Sequence, residues 1–291
     1  MNNHPLVTVL INCRNEEQLI SKAINSVINQ SYKKIQILIW DDASGDSTIK
    51  IIRSFKDKRI NLFRNKYHLG LGISRCKAQK KIKGDIVTIL DADDQMHKNR
   101  IKLQVREFKN NNNLALVATL FKKLDIYGKP IINRKNSFVE NIHDNSIIKK
   151  KMMVKNIFAH SSIAYRKKFA KKVGWYSKKL EYSQDYNLSI KLLSKYDCKI
   201  IPKYLTFITD RKKSMTQSDK LKIIRVKELL FNLRLIKTIF KMDKNMYFYN
   251  NREIFFNKLK LILFKEKNFF LKFYKIVKII LKYPSLILRL I

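Results

Sequence analysis

A cluster of three carboxylates follows a short apolar segment in the first third of the chain. Residues 86–90 are apolar or β-branched and predict a buried strand, and Asp91, Asp93 and Asp94 come directly after it. Carboxylates this close together raise one another's pKa unless a positive charge lies among them. A hard divalent cation would supply that charge, since Mg²⁺ takes oxygen ligands and shares its shell with phosphate oxygens. The alternative is an acidic turn without a ligand, because Asp is common in turns.

A second acidic turn follows an earlier apolar segment. Residues 35–40 predict a strand, which runs into Asp41, Asp42 and then Asp46. If both strands belong to one parallel sheet, their carboxyl ends open on the same crevice, where open α/β sheets bind their ligands. We therefore expect the two acidic turns to lie together at one ligand site.

The other segments supply the sheet that would position these turns. Residues 6–11 and 60–63 predict further strands, and a helix stripe follows the first of them at Ile20, Ala23, Ile24, Val27 and Ile28. Strands alternating with helices predict a mostly parallel sheet covered by helices. Later in the chain, residues 114–120 predict a strand and residues 185–195 a helix. Asp185 would lie at the N-terminus of that helix, where the dipole stabilises a carboxylate, and a simple helix cap is the alternative.

The composition limits the class of protein. The 291 residues suffice for one large domain, or for one domain with an appendage. Lys and Arg number 62 against 23 Asp and Glu, a net charge of +39, which favours an anionic partner such as nucleic acid, acidic lipid or a phosphorylated substrate. The three cysteines form no CxxC pair, which argues against a zinc site and suits a reducing cytoplasm. No segment has the pattern of a signal peptide or of a transmembrane helix.

The last part of the chain is basic and amphipathic. Projected as a helix, residues 269–282 place apolar side chains on one side: Phe269, Phe270, Phe273, Ile276, Val277, Ile280 and Leu281. The opposite side carries Lys272, Lys275, Lys278 and Lys282. This pattern is typical of a helix lying in the interface of an anionic membrane. The alternative is a helix that packs on the preceding domain with a solvated lysine face.

Five motifs occur in order along the chain: NCRNEE from Asn12, DDASGDST from Asp41, GLGISR from Gly70, LDADD from Leu90 and SQDYNL from Ser183. Together they resemble the inverting family 2 glycosyltransferases of the GT-A fold, over roughly residues 6–216. The resemblance implies an α/β fold with a Rossmann-like, mostly parallel central sheet covered by helices.

The resemblance also implies a domain organisation. Residues 1–218 would form the GT-A catalytic domain, with the nucleotide-sugar part at about 1–120 and the acceptor part at about 121–218. Residues 219–291 would form a helical, basic, amphipathic C-terminal region.

The family's site residues transfer to matching positions of this chain. The resemblance places at the nucleotide sugar the residues Asn12, Cys13, Arg14, Asn15, Glu16, Asp41, Asp42, Arg75, Asp91, Ala92, Asp93 and Arg211. Asp41 would hydrogen-bond uracil, Asp42 would support its loop, and Arg75 would lie near the base. Because Cys13 and Arg14 replace the usual Thr and Tyr, the chain departs from the family's aromatic stacking on the base.

The catalytic roles follow from the same resemblance. Asp91 would face the ribose, and Asp93, with Asp91 as a further candidate, would bind Mn²⁺ or Mg²⁺. Arg211 stands where the family often has a histidine. Asp185 would be the catalytic base, although Gln184 stands where the family usually has Glu. His160 is a further candidate for the acceptor side.

These roles imply a reaction and a location. The protein would be a hexosyltransferase that moves a sugar from a UDP-sugar to a lipid-linked or other glycan acceptor, for a surface glycan such as lipooligosaccharide or capsule. It would be cytoplasmic and peripheral at the inner face of the membrane, with no nucleic-acid partner. Two alternatives stay open. A nucleic-acid-binding module accounts for the charge but not for acidic turns that would repel phosphate, and the changes at Cys13 and Gln184 allow an inactive family member.

Overall fold

One eight-stranded sheet organises the residues that the computed structural model describes, which are 4–131, 144–211, 219–240, 244–265 and 269–282. Its strand order is β3-β2-β1-β4-β7-β6-β8-β5. The strands are β1 (Val7–Cys13), β2 (Ile35–Asp41), β3 (Ile60–Arg64), β4 (Ile86–Ile89), β5 (Gln95–Met96), β6 (Leu114–Leu124), β7 (Ala164–Arg166) and β8 (Asp197–Thr209).

Helices cover both faces of this sheet. They are α1 (Ile20–Ile28), α2 (Thr48–Ser54), α3 (Leu71–Ala78), α4 (Arg100–Asn110), α5 (Asn145–Val154), α6 (Lys167–Lys172), α7 (Gln184–Leu193), α8 (Asp219–Ile239), α9 (Lys244–Lys265) and α10 (Phe269–Lys282). Short 3₁₀ turns lie at Gln79–Lys81 and His160–Ser162.

The first four long strands are parallel, as the alternation of strands and helices predicts. β1 pairs with β2 on one side and with β4 on the other, with Cys13 opposite Asp41 and Leu10 opposite Ile89. This register brings the carboxyl ends of the three strands to one edge of the sheet. The polar turns that follow these strands therefore meet there.

Successive side chains along a strand point to opposite faces of the sheet, and this divides the core into two layers. Val9 and Ile11 of β1 pack with Ile24 of α1 on one face, whereas Leu10 and Leu38 belong to the cluster on the other face. All five side chains are at most 2% exposed. Burying a side chain of this kind contributes about 1.5–3 kcal/mol, so this double packing fixes the strands that carry the site.

The second half of the sheet is mixed. Antiparallel β7 lies between β4 and β6, with Tyr165 opposite both Val87 and Leu116. β8 begins at Asp197 and contains Pro202. The proline is accommodated because the register with β6 shifts beside it, between Thr119 and Leu120.

The C-terminal helices share the core of the preceding residues. Leu233 and Ile236 of α8 and Ile254 of α9 belong to the same buried cluster as strands β4 and β6. Asn250 of α9, also buried, donates a hydrogen bond to the carbonyl of Met153 at 3.1 Å. Of the helices in the described part of the chain, none is both long and apolar enough to cross a membrane.

The amphipathic helix predicted near the C-terminus is present as α10. Leu271 and Tyr274 on this helix are exposed. The predicted apolar residues Phe269, Phe270, Phe273, Ile280 and Leu281 lie outside the described side chains. The membrane contact of this helix stays a prediction.

Candidate active site

A cavity of about 550 Å³ opens at the carboxyl ends of β1, β2 and β4. Its lining residues are Asn12, Cys13, Arg14, Glu16, Asp42, His68, Leu71, Ser74, Arg75, Asp91, Ala92, Asp93, Glu181 and Tyr182. Nine of these were predicted from the sequence. The structure thus brings both acidic turns to one cavity, as the parallel sheet requires.

Five lining residues were not predicted, namely His68, Leu71, Ser74, Glu181 and Tyr182. Glu181 and Tyr182 directly precede the SQDYNL motif, so proximity to that motif was the available signal. Ser74 belongs to the GLGISR motif, where only Arg75 was singled out.

Asp91 lies beside an imidazole and a guanidinium group. Its Oδ1 is 3.2 Å from His160 Nδ1 and 3.5 Å from Arg75 Nη2. Burial raises the pKa of Asp91, but His160 and Arg75 outweigh burial and hold it well below its usual value. Asp91 is therefore ionised at neutral pH. His160, predicted for the acceptor side, contacts this carboxylate, and its role toward an acceptor stays a prediction.

Asp93 lies near one arginine and is also affected by the carboxylate of Asp91. Its side chain is 30% exposed, and Arg211 Nε lies 3.1 Å from its Oδ2. Burial and then repulsion from Asp91 raise the pKa of Asp93, with Arg211 opposing them. A cation bound beside Asp93 would relieve this repulsion.

Asp94 faces away from the cavity and ties the acidic turn to the sheet. It is 4% exposed and accepts a hydrogen bond from the backbone N–H of Thr209 at 3.0 Å. Ser161 Oγ also donates to it. Burial, followed by repulsion from Asp93 and Asp91, raises the pKa of Asp94.

A buried arginine lies beneath the acidic turn. Arg100 is fully buried and donates to Thr88 Oγ1 at 3.1 Å and to the carbonyls of Ile89 and Ile163 at 3.0 and 3.3 Å. Burial lowers the pKa of Arg100 to about 9, although Asp94 and Asp91 oppose this shift. Its charge thus remains at neutral pH and partly offsets the carboxylates above it.

The other acidic turn has its two aspartates in different places. Asp41 is fully buried, accepting from the Ser44 N–H at 3.0 Å and pairing with Arg64 Nε at 3.2 Å. It is not among the lining residues, whereas Asp42 is. Asp41 is thus buried behind the cavity wall, and its contact with the base stays a prediction.

Asp42 is held by an array of donors. The backbone N–H groups of Leu69 and Gly70 donate to it, each at 2.9 Å, as does Asn65 Nδ2 at 2.7 Å. His68 Nδ1 lies 2.8 Å from its Oδ2. Burial raises the pKa of Asp42, but these hydrogen bonds outweigh burial and lower it. Asp42 is thus a fixed, ionised carboxylate in the cavity wall.

The loop after β1 is fastened to the loop after β2. Asn15, with a left-handed backbone at φ 55°, donates its N–H to Ser44 Oγ at 2.9 Å and accepts from the Gly45 N–H at 2.8 Å.

Burial and then Asp41 raise the pKa of the Cys13 thiol, which is therefore neutral and a poor nucleophile. Cys13 is a wall residue here.

Arg211 closes one side of the site. It makes an ion pair with Glu16 in addition to its contact with Asp93. Burial raises the pKa of Glu16, although Arg211 opposes this shift. Arg211 thus bridges the first loop and the acidic turn, from the position where the resemblance expects a histidine.

Asp185 lies in the first turn of α7, where the sequence predicts it. Asn156 Nδ2 donates to its Oδ2 at 2.9 Å. Its neighbour Gln184 is fully buried and donates to the carbonyls of Leu180 and Glu181 at 2.6 and 3.1 Å. Gln184 therefore holds the loop together and is not itself among the residues that line the cavity.

Tyr176 lies between the acidic turn and α7. Its hydroxyl is 3.2 Å from His160 Nε2. Burial raises the pKa of Tyr176 to about 12, Arg75 opposes this shift, and both Asp185 and Asp91 add to it. Both carboxylates thus act electrostatically on the same phenol, although Asp185 itself is not among the lining residues.

The fold and the acidic crevice define an α/β protein whose ligand site lies at the carboxyl ends of parallel strands. The sequence pattern of Glycosyl transferase family 2 matches residues 8–174, and the chain belongs to this family. The predictions of the family and of a hexosyltransferase enzyme are confirmed.

Two relatives illustrate the range of similarity. An uncharacterized glycosyltransferase of Methanocaldococcus jannaschii is 30% identical over 269 residues, which cover 89% of this chain and 88% of that protein. The UDP-Glc:alpha-D-GlcNAc-diphosphoundecaprenol beta-1,3-glucosyltransferase WfgD of Escherichia coli is 35% identical over 107 residues, which cover 37% of this chain and 42% of that protein.

Solved structures show the same fold. Residues 1–349 of Staphylococcus aureus TarS, in complex with UDP-GlcNAc, superpose with a TM-score of 0.68 at 13% identity, covering 90% of this chain and 82% of that one. The mannosyltransferase PcManGT of Pyrobaculum calidifontis, in complex with GDP-Man and Mn²⁺, superposes with a TM-score of 0.67 at 16% identity. The superposition covers 98% of this chain and 76% of that one. The predicted GT-A fold is confirmed.

Proposed function

We propose that this protein is an inverting, metal-dependent glycosyltransferase that moves a sugar from a UDP-sugar to a hydroxyl of a lipid-linked glycan. One observation carries the proposal. Asp42, Asp91 and Asp93 line a single cavity, and the wall residues Glu181 and Tyr182 lead directly into the helix that bears Asp185.

The donor nucleotide would lie between the two acidic turns. Asp42, which lines the cavity, is better placed than Asp41 to meet the base. Arg75 and Arg211 lie beside the acidic turn and would contact the diphosphate by charge-assisted hydrogen bonds. The TarS structure contains UDP-GlcNAc, and WfgD is named for a UDP-Glc donor, which supports UDP as the carrier.

The acidic turn fits a divalent cation. Asp91 and Asp93 offer hard oxygen ligands. Burial and then repulsion from Asp91 raise the pKa of Asp93, and a cation would relieve that repulsion. Across the described ranges, no three His, Cys, Asp or Glu side chains come together as a metal site. Asp93, with Asp91, would therefore hold Mn²⁺ or Mg²⁺ together with phosphate oxygens and water. When bound, the metal offsets negative charge on the diphosphate leaving group.

Asp185 would act as the base. As the acceptor oxygen bonds to the anomeric carbon, its proton passes to Asp185 and the bond from that carbon to the diphosphate oxygen breaks. A single displacement from the opposite face inverts the anomeric configuration. A positioned base of this kind is worth about 10²–10⁴-fold in rate.

The acceptor is proposed from chemistry and from relatives. WfgD and the E. coli glucosyltransferase WfaP, 37% identical over 100 residues, are both named for a diphosphoundecaprenol-linked GlcNAc. The charge of +39 and the basic helix α10 would favour an anionic membrane that presents such a lipid. We accordingly propose a peripheral location at the cytoplasmic leaflet and a product that contributes to a surface glycan.

A donor screen tests the proposal. The purified protein is incubated with UDP-, GDP- and dTDP-sugars, with Mn²⁺, with Mg²⁺ or with EDTA, and with a GlcNAc-diphosphate lipid as acceptor. We expect metal-dependent release of UDP and a glycosylated lipid of inverted configuration. Turnover that EDTA leaves intact would refute the metal role. A folded protein that turns over no donor would favour the inactive-member alternative.

A further inference from the structure

The loop before the Asp185 helix is anchored by a residue far along the chain. Glu228 of α8 is 7% exposed, and its carboxylate accepts hydrogen bonds from three consecutive backbone N–H groups. The donors are Glu181 at 2.5 Å, Tyr182 at 2.8 Å and Ser183 at 2.8 Å. Glu228 lies beyond the segment that the family pattern matches.

These contacts hold the segment that leads into α7. Ser183, at the N-terminus of α7, makes no capping bond with its own side chain. Its backbone N–H and those of the two preceding residues are instead fixed by the Glu228 carboxylate from α8. Asn232, one turn further along, reinforces the contact by donating to the Ser183 carbonyl at 3.1 Å.

A second carboxylate extends the arrangement to α3. Glu181 accepts hydrogen bonds from the N–H groups of Leu71 and Gly72, at 2.7 and 3.3 Å, at the start of that helix. One turn later α3 carries Arg75, which pairs with Asp91. The loop that Glu228 holds is therefore the connection between the proposed base helix and the helix that supports the acidic turn.

We propose that Glu228 is a positioning residue for the transfer reaction. It touches neither the cavity nor the reacting atoms, and it acts by fixing the loop from which Asp185 is presented. This inference rests on the proposed function, because it takes Asp185 as the base. It assigns to the C-terminal region a part in catalysis besides packing.

Hydrogen exchange tests the anchor without an activity assay. In Glu228→Gln, one carboxylate oxygen becomes an NH₂ group, which cannot accept from the backbone. We expect the amides of residues 181–183 to exchange faster in this variant than in the wild type. Glu253→Gln is the matched control, since it removes the same charge from neighbouring α9 and no hydrogen bond joins that carboxylate to the described residues. Unchanged exchange in Glu228→Gln would overturn the anchor.

Kinetics test the positioning role. A misplaced catalytic group can lower the rate of a reaction on the order of 10²-fold. We therefore expect kcat of Glu228→Gln to fall about 10–100-fold, while the affinity for UDP changes less. The deficit should shrink in an Asp185→Asn background, because the loop then has no base to place. Glu228→Asp keeps the charge on a shorter arm and should recover part of the loss.

Three outcomes would refute the inference. The first is a wild-type kcat in Glu228→Gln. The second is a loss of kcat that is equal in the wild-type and Asp185→Asn backgrounds. The third is a loss of kcat explained wholly by unfolding, with the folded fraction turning over at the normal rate. If Glu228→Gln does not fold, Glu228→Asp alone decides: wild-type kcat despite faster exchange at 181–183 would refute the role. A wild-type protein that transfers no sugar refutes the proposed function itself, which is a distinguishable result.

Discussion

At the scale of single residues, the proton on Asp93 controls the proposed metal site. A metal binds the ionised carboxylate, so a raised pKa moves the loss of binding to a higher pH than an ordinary Asp would show. We expect Mn²⁺-dependent UDP affinity, measured by calorimetry, to fall as pH drops, beginning above the usual Asp range. Affinity that stays constant down to about pH 4 would contradict the raised pKa.

Removing the Asp93 carboxylate tests the same site directly. Asp93→Ala should abolish the gain in UDP affinity that Mn²⁺ gives the wild type, because the remaining carboxylate of Asp91 is already paired with His160 and Arg75. Asp125→Ala, a substitution at an exposed turn, is the control. An Asp93→Ala protein that keeps the full Mn²⁺ effect would place the metal elsewhere.

Asp185 supports a sharper residue-scale prediction. Asp185→Asn can keep its place in the first turn of α7 and its contact with Asn156, but it cannot take a proton. Turnover should fall by about 10²–10⁴-fold with UDP binding nearly intact. Turnover above roughly a tenth of the wild-type rate would mean that the base lies elsewhere.

At the scale of elements, the close approach of α3 to the loop before α7 depends on Gly72. A Cβ at this position would lie 2.4 Å from the Leu180 carbonyl oxygen and 2.6 Å from Gln184 Nε2. Gly72→Ala should therefore separate the two elements, lower the stability by about 1–3 kcal/mol and reduce turnover.

A second glycine provides the control for this steric argument. Gly45 has no atom within 4 Å of a built Cβ, so Gly45→Ala should stay within about 0.5 kcal/mol of the wild type. Denaturant melts of the two variants give the comparison. Equal stability of Gly72→Ala and Gly45→Ala would show that the loop relaxes freely.

The sequence predicts elements well where residues of one kind run together. β1, β2 and β4 belong to continuous runs of mainly apolar or β-branched residues, so these strands, and the acidic turns after β2 and β4, were predictable. β7 has only three residues, Ala164–Arg166, too few to show a period. Its antiparallel place between two longer strands is set by tertiary packing.

The roles that the sequence did not reveal depend on contacts that only the tertiary fold creates. Arg100 lies on a helix, where an arginine ordinarily faces solvent, and only the tertiary fold reveals the acidic turn above it. Glu228 contacts residues at least 45 positions earlier in the chain. Asp41 and Asp42 are adjacent carboxylates, so only the backbone path after β2 decides which one meets the cavity.

At the scale of the whole molecule, α10 is the proposed membrane contact. Each lysine near an anionic leaflet is worth about 1 kcal/mol, so Lys272, Lys275, Lys278 and Lys282 together would give about 4 kcal/mol. A chain ending at Asn268 should lose flotation with anionic liposomes and keep hydrolysis of free donor. The binding that it loses relative to the wild type should be larger at low salt than at high salt, because salt screens the lysine charges.

Charge alone could mimic this result, so a matched variant is needed. Four exposed lysines on the catalytic domain, Lys50, Lys58, Lys80 and Lys203, can be changed to Gln to remove the same charge. This variant should float nearly as well as the wild type. If the shortened chain instead floats normally but melts at a much lower temperature, α10 is a packing helix.

The core that α8 and α9 share with the sheet has a consequence for recombination. Judged by composition alone, residue 218 would be the natural crossover point for exchanging C-terminal regions between family members. Leu233, Ile236 and Ile254 belong to the same buried cluster as the sheet. A crossover at 218 would therefore join the sheet of one protein to C-terminal helices from another, whose side chains do not match that core. A productive chimera should inherit residues 4–265 as one block and exchange only α10, so acceptor membranes could be swapped without disturbing the chemistry.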